Sequence, residues 1–164
     1  MYKSIEIQAP KTLKLKHGYT SVFLGGSIEM GKAEEWQQKL IDELEDKPYI
    51  FFNPRRDDWD SSWAQKITDK NFKEQVTWEL EALEVADVIV MYFDPNTKSP
   101  ISLLELGLHA RDKKLIVYCP DDFWKKGNVD VLCEVYNIKQ VKSFEELVKI
   151  FKAGTVKEIV RSLK

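Results

Sequence analysis

Apolar residues fall into two kinds of pattern along this chain. Short, nearly unbroken runs occupy residues 19–24, 49–52, 87–93, 114–119 and 138–141. Such runs read as strands buried on both faces. Between them apolar residues recur every three or four positions, as on one face of a helix. Residues 33–44 predict a helix packed through Trp36, Leu40, Ile41 and Leu44. The spacing over Asp69–Val85 predicts a longer helix, with Phe72, Val76, Leu80 and Leu83 buried and Gln75 and Glu79 on a neighbouring strip; Trp78 fits either side. A loop rich in Asp, Pro, Asn and Ser follows residue 93 and enters a third helix, near whose first turn Glu105 stands in an apolar run. Residues 131–136 predict a helix or turn. Ser143 and Glu146 form a capping box for a helix reaching about Phe151, and a last short helix spans 155–163. Residues 2–16 alternate loosely (Ile5, Ile7, Leu13, Leu15) around Pro10, which predicts an edge hairpin or an extended arm, the latter able to pack on a neighbouring subunit.

This alternation predicts an α/β three-layer domain over residues 1–164, with a parallel sheet of about five strands and an amino-terminal arm or hairpin over 1–17. Right-handed crossovers then bring three loops to one edge of the sheet: the Gly25-Gly26-Ser27 turn, residues 53–63 and residues 94–105. A cleft lined by three polar loops is the expected ligand site.

Composition narrows the partners. A formal net charge of −2, with both signs interspersed, gives no broad basic field for a nucleic acid polymer or a membrane surface. No apolar run has the length of a membrane span, and the first eleven residues lack the apolar segment of a signal peptide. Cys119 and Cys133 have neither metal spacing nor a disulfide framework, which fits a reducing cytoplasm.

The chemistry follows by elimination. Gly25-Gly26-Ser27 continues as Ile28-Glu29-Met30-Gly31, which is not a dinucleotide fingerprint, and no phosphate-loop lysine or metal cluster is present. No cofactor is expected. Of the two histidines, His109 lies four residues after Glu105 and shares its helix face, either as a partner in chemistry or as a packing residue. What remains is a set of carboxylates: Glu105, Glu79, Asp57, Asp58 and Asp94. The 53–63 loop is either a solvated loop anchored by tryptophans or a recognition loop in which Trp stacks on a flat ring and Asp accepts its N–H groups. Carboxylates beside such a loop suit cleavage of a glycosidic bond, one acid attacking the anomeric carbon while a second group assists departure.

Five short motifs then coincide in order: Phe23-Leu-Gly-Gly-Ser-Ile28, Asn53-Pro-Arg-Arg56 with Trp59, Gln75-Val-Thr-Trp-Glu79, Ala86-Asp87 and Leu104-Glu-Leu-Gly107. Together they span about residues 20–120, and with them the chain resembles the nucleoside 2-deoxyribosyltransferases and their nucleotide N-glycosidase relatives. The resemblance implies a flavodoxin-like fold and a homo-oligomer whose sites borrow residues from a neighbour. It implies Glu105 as the nucleophile of a Glu-x-Gly motif and Glu79 as the acid on the preceding helix. Gly25 and Gly26 would line the sugar, with Ser27, Asn53, Gln75 and Ser102 around the substrate, and Asp58 and Trp59 at the base. The substrates implied are a nucleoside or nucleotide and a free nucleobase. The family's aspartate just before the nucleophile is absent, and Ser99, Pro100 and Ser102 occupy that interval. That departure leaves open a 5′-monophosphate N-glycosidase in which Ser27 and Ser102 hold phosphate. A sensing module of the same fold is the non-catalytic alternative.

Overall fold

The computed structural model describes residues 1–29, 33–58 and 60–162. In chain order the elements are β1 (Ile5–Gln8), β2 (Thr20–Gly26), α1 (Trp36–Glu43), β3 (Tyr49–Asn53), α2 (Lys70–Val85), β4 (Val88–Tyr92), α3 (Pro100–His109), β5 (Leu115–Tyr118), α4 (Lys126–Tyr136), β6 (Lys139–Val141), α5 (Phe144–Lys152) and α6 (Val156–Ser162). The strands form one sheet in the order β1-β3-β2-β4-β5-β6, and every pairing is parallel. Apart from β1 this is the flavodoxin-like order, in which the chain reverses its direction of growth between β2 and β4. The sheet has six strands, one more than the apolar runs indicate. The sixth is β1, an edge strand parallel to β3, with Ile5 opposite Ile50 and Gln8 opposite Asn53.

Alternate side chains of each strand feed two cores. Phe23, Phe52, Ile89, Met91 and Val117 pack beneath α2, α3 and α4, through Trp78, Leu83, Leu106 and Val129. Val22, Leu24, Phe51, Val88 and Val90 pack beneath α1, α5 and α6, through Trp36, Leu40, Leu147 and Phe151. Each fully buried large side chain contributes roughly 1.5–3 kcal/mol. Asp69 caps α2 by accepting from the Phe72 N–H at 3.0 Å, and Ser143 caps α5 by accepting from the Glu146 N–H at 3.1 Å. The 131–136 segment is the second half of α4, which begins five residues earlier than the apolar spacing shows.

One face assignment is corrected. Val76 and Leu80 of α2 are exposed, and the residues turned inward are Gln75, Trp78, Ala82 and Leu83. The connecting helices run back antiparallel to the strands, so the amino-terminal half of α2 lies at the carboxyl edge of the sheet. There its inward positions meet polar groups, Gln75 donating to the Pro54 carbonyl and Glu79 facing Glu105; only the carboxyl-terminal half sits squarely on the apolar core.

Candidate active site

Two carboxylates from adjacent helices meet at that edge. Glu105 stands on the second turn of α3 and is buried, with 6% of its surface exposed. Ser102, one turn earlier on α3, is buried as well. No hydrogen bond to Glu105 is made by the described residues. Burial first, and the charge of Glu79 second, push its carboxyl up to about 8. Glu79 is also raised by burial, and a hydrogen bond from Gln75 partly offsets this. Glu105 is therefore held protonated toward neutral pH, mainly by its burial, and the charge of Glu79 adds to this. A dry carboxyl with a raised pKa beside a second acid is the arrangement expected of acid–base or nucleophilic work.

Gln75 holds the second acid. Its Nε2 donates to Glu79 Oε1 at 2.6 Å and to the Pro54 carbonyl at 2.9 Å, tying α2 to the loop after β3. Both amide protons are thereby used, while Gln75 Oε1 is buried without a donor. That oxygen is available to an N–H or O–H group entering the cleft. Gln75→Leu should free Glu79 to move and lower activity by about 10²-fold, the scale of a displaced catalytic group. Comparing kcat for Gln75→Leu with that for Gln75→Glu checks this; undiminished kcat in both would remove Gln75 from the positioning role.

The loop after β4 is bonded to the end of β2 through a cluster of hydroxyls. Ser27 Oγ accepts from the Asp94 N–H at 2.8 Å and lies 2.7 Å from both Thr97 Oγ1 and Ser99 Oγ. Thr97 Oγ1 is 2.8 Å from Ser99 Oγ and donates to the Asp94 carbonyl at 2.9 Å. Ser99 adopts left-handed backbone (φ 46°), a costly conformation for a residue with a Cβ. The hydroxyl cluster and two amide contacts hold it there: Glu29 Oε1 accepts from the N–H groups of Lys98 at 2.9 Å and Ser99 at 3.2 Å. Asp94 is buried and accepts from the Asn96 N–H at 2.8 Å, the Asx turn that starts the loop.

The glycines shape the floor. A Cβ on Gly25 would lie 2.8 Å from Met91 Sδ, and one on Gly26 only 2.0 Å from the Tyr92 carbonyl oxygen. Gly26 also has φ +129°, a region side chains avoid. Its close approach lets the Ser27 N–H reach the Tyr92 carbonyl at 2.8 Å and sets Ser27 at the hub of the cluster. Gly26→Ala should destabilise the fold by roughly 3 kcal/mol, combining backbone strain with a backbone clash. A urea midpoint equal to that of the parent protein would show that the approach is not required.

The remaining positions singled out by sequence fall into two groups. Asn53 is buried, with Nδ2 donating to Glu6 at 2.8 Å and Oδ1 accepting from the Arg55 N–H at 3.1 Å, so both polar atoms join β1, β3 and the following loop. Asp58 is an exposed carboxylate gripped by Arg56 through two bonds of 2.8 and 2.9 Å, and that cation holds it below its ordinary pKa. Arg56 also lies over the Trp63 ring. Trp59 lies outside the described residues. Asp87, of the fourth motif, is at the opposite edge of the sheet, where it accepts from the Ser21 N–H and hydroxyl and pairs with Lys157. His109 is buried, and its Nδ1 pairs with Asp112 at 2.6 Å rather than with either acid of the site. Sequence reading gave no role to Glu29, Thr97 or Ser99, the last named only as filling the interval before Glu105. The signal for the last two was the Asp-Pro-Asn-Thr-Lys-Ser stretch, whose turn chemistry predicts internal hydroxyl bonding.

Among the described residues no cluster of ligating side chains could hold a metal ion, and no helix is long and apolar enough to cross a membrane. Two open depressions lie elsewhere. One, between α1 and α5, is lined by charged residues including the paired Lys152 and Glu43; the other lies between residues 10–13 and α2. Neither contains the Glu79–Glu105 pair.

Fold and site thus define a flavodoxin-like α/β protein with two coupled carboxylates at its topological switch point. The model of the family described as nucleoside 2-deoxyribosyltransferase like matches residues 19–123, more than half of the chain. The chain belongs to that family. No curated protein matches it in sequence. Among solved structures it is similar to a conserved protein from Enterococcus faecalis V583, with a TM-score of 0.59, 16% identity, and coverage of 82% of this chain and 98% of that one. Likeness at that identity speaks for the fold alone.

Proposed function

We propose that the protein is a nucleoside 2-deoxyribosyltransferase, which cleaves the N-glycosidic bond of a 2′-deoxynucleoside and passes the sugar to another base. The observation that carries this reading is buried Glu105 beside half-buried Glu79, with Glu105 in a Glu-Leu-Gly motif at the carboxyl edge of β4. Once ionised, Glu105 attacks C1′ and the bond to the base breaks, its electron pair leaving with the base. The pair's proton is then carried by Glu79 or has passed to the departing base. The acceptor base attacks C1′ in turn and releases Glu105, so two displacements retain configuration. The buried carboxylate stabilises the cationic sugar more strongly than a solvated one does. Gln75 Oε1 is a candidate acceptor for the substrate, and Ser102 lies one turn before Glu105 on α3.

Chromatography of a deoxynucleoside with and without a second free base tests the reading. A new nucleoside appearing only with the acceptor supports it. Base release at the same rate without acceptor would instead favour a hydrolase, and binding without cleavage would favour a sensor.

The reading includes self-association. Val76 and Leu80 of α2, Ile101, Leu104 and Leu108 of α3, and Val131 and Val135 of α4 are exposed in the helical layer that bears the site. Runs of this kind at i, i+4 spacing suit burial against a second copy. Leu104→Lys combined with Leu108→Lys should yield a smaller species in sedimentation equilibrium. A parent protein that is monomeric at every concentration would remove this part.

A further inference from the structure

Trp124 touches the loop after β4 from outside the site. It lies on the turn between β5 and α4, where the Phe123 N–H donates to the Pro120 carbonyl at 3.1 Å and the Lys126 N–H to the Phe123 carbonyl at 2.9 Å. Phe123 anchors that turn: it is buried, and its ring centre lies 4.8 Å from that of Phe93, just past β4. Trp124, the next residue, is 52% exposed, so burial of its ring accounts for little of its placement. Its indole N–H has a defined partner all the same, donating to the Lys98 carbonyl at 2.9 Å. The Lys125 ammonium lies 4.8 Å from the ring centre and that of Lys98 5.9 Å, contacts that favour the same placement.

The Lys98 carbonyl and the Ser99 N–H belong to one peptide group. That group is therefore gripped at both ends, its oxygen by Trp124 and its N–H by Glu29 Oε1 at 3.2 Å. It is also the group whose orientation decides the sign of φ at Ser99. Rotating such a peptide by about half a turn, the difference between type I and type II turns, reverses the sign of φ at the residue that follows while the Cα atoms stay nearly in place. Ser99 carries a Cβ, so at φ 46° it is strained, and a flip of this peptide would relieve it. The same flip would break both grips. It would also disturb what Ser99 supports. Ser99 Oγ lies 2.7 Å from Ser27 Oγ and 2.8 Å from Thr97 Oγ1, and the Ser99 carbonyl accepts from the Leu103 N–H at 3.0 Å, the bond that opens α3. Glu105 is carried by that helix.

We infer that Trp124 is a positioning residue of the site: by holding the Lys98 carbonyl it keeps the Lys98–Ser99 peptide in its strained orientation, and through Ser99 it fixes the hydroxyl cluster and the start of the helix that bears Glu105. Trp124→Phe is the test, since it keeps an aromatic ring and removes the N–H. Amide exchange followed residue by residue by NMR should show the Ser99 N–H exchanging about three- to tenfold faster than in the parent, the range for one hydrogen bond. That N–H is bonded to Glu29 and not to Trp124, so a tryptophan that only covers surface would leave its exchange unchanged. The Asn96 N–H, bonded to the Asp94 carboxylate in the same loop, and the Val117 N–H in β5 are the controls and should exchange at the parent rate. A kinetic arm, which alone rests on the glycosyl-transfer reading, should show kcat reduced at least about threefold, with the pH at which activity rises unmoved because both acids are left in place. Unchanged Ser99 exchange, equal acceleration at all three amides, or faster Ser99 exchange with undiminished kcat in a protein that transfers, overturns the inference. A parent that transfers nothing removes the transfer reading, and Ser99 exchange then decides on the latch by itself.

Discussion

Glu105→Gln should reduce deoxyribosyl transfer by at least about 10⁴-fold while leaving the fold in place. The carboxamide has the carboxyl's shape and fills the same buried space, so no cavity opens. What it loses is the negative oxygen that attacks C1′ and the charge that stabilises the cationic sugar. Glu79→Gln should behave differently. It removes the charge that helps to raise Glu105, so Glu105 should ionise at lower pH and the rise of kcat/KM with pH should move to lower pH. The two variants therefore separate the roles, one by the loss of rate and the other by the position of the pH profile. Rapid quench of parent and variants with radiolabelled nucleoside is the direct measurement, because a sugar covalently held on the protein should accumulate only where Glu105 is intact. Transfer by Glu105→Gln within tenfold of the parent rate would remove Glu105 as nucleophile.

The elements legible in the sequence are those whose side chains obey one rule along their whole length. β2, β3, β4 and β5 are buried on both faces, so each is an apolar run between polar loops. β1 obeys no such rule. As an edge strand it buries only Ile7 fully, and its pairing with β3 depends on residues more than forty positions away. α2 was legible as a helix but not in its orientation, because apolar spacing marks the inward face only where the interior is apolar. Gln75 and Glu79 face the Pro54 carbonyl and Glu105, and the apolar strip beside them, Val76 and Leu80, is left outside. Glu105 was legible for the same reason in reverse, as a lone acid in an apolar run. The hydroxyl cluster was not, since Ser27 and Ser99 are joined by the parallel pairing of β2 with β4, which no local pattern encodes. The loop after β3 resolves mainly into internal bonds, Asn53 to Glu6 and Arg56 to Asp58, which spacing alone could not tell from substrate contacts.

The burial that makes Glu105 useful for chemistry should also be measurable as a cost in stability. In the unfolded chain its carboxyl loses its proton near the ordinary glutamate value of 4.5, whereas in the fold it holds the proton up to about 8. Between those values the folded state binds more protons than the unfolded state, so raising the pH favours unfolding. The parent protein should lose up to about 1.4 kcal/mol of stability per pH unit across this window from this one group. Below 4.5 the carboxyl is protonated in both states and imposes no penalty; above about 8 the penalty is complete and constant. Glu79 has a raised pKa as well and slopes in the same direction, but it is present in parent and variant alike. The stability of Glu105→Gln minus that of the parent should therefore be small at pH 4.5, grow through neutral pH and level off above pH 8. Urea unfolding at pH 5, 6.5 and 8 reads the difference directly. A difference that stays flat across the three would mean that Glu105 ionises in the fold as easily as in water, and the case for a dry, coupled pair would fall with it.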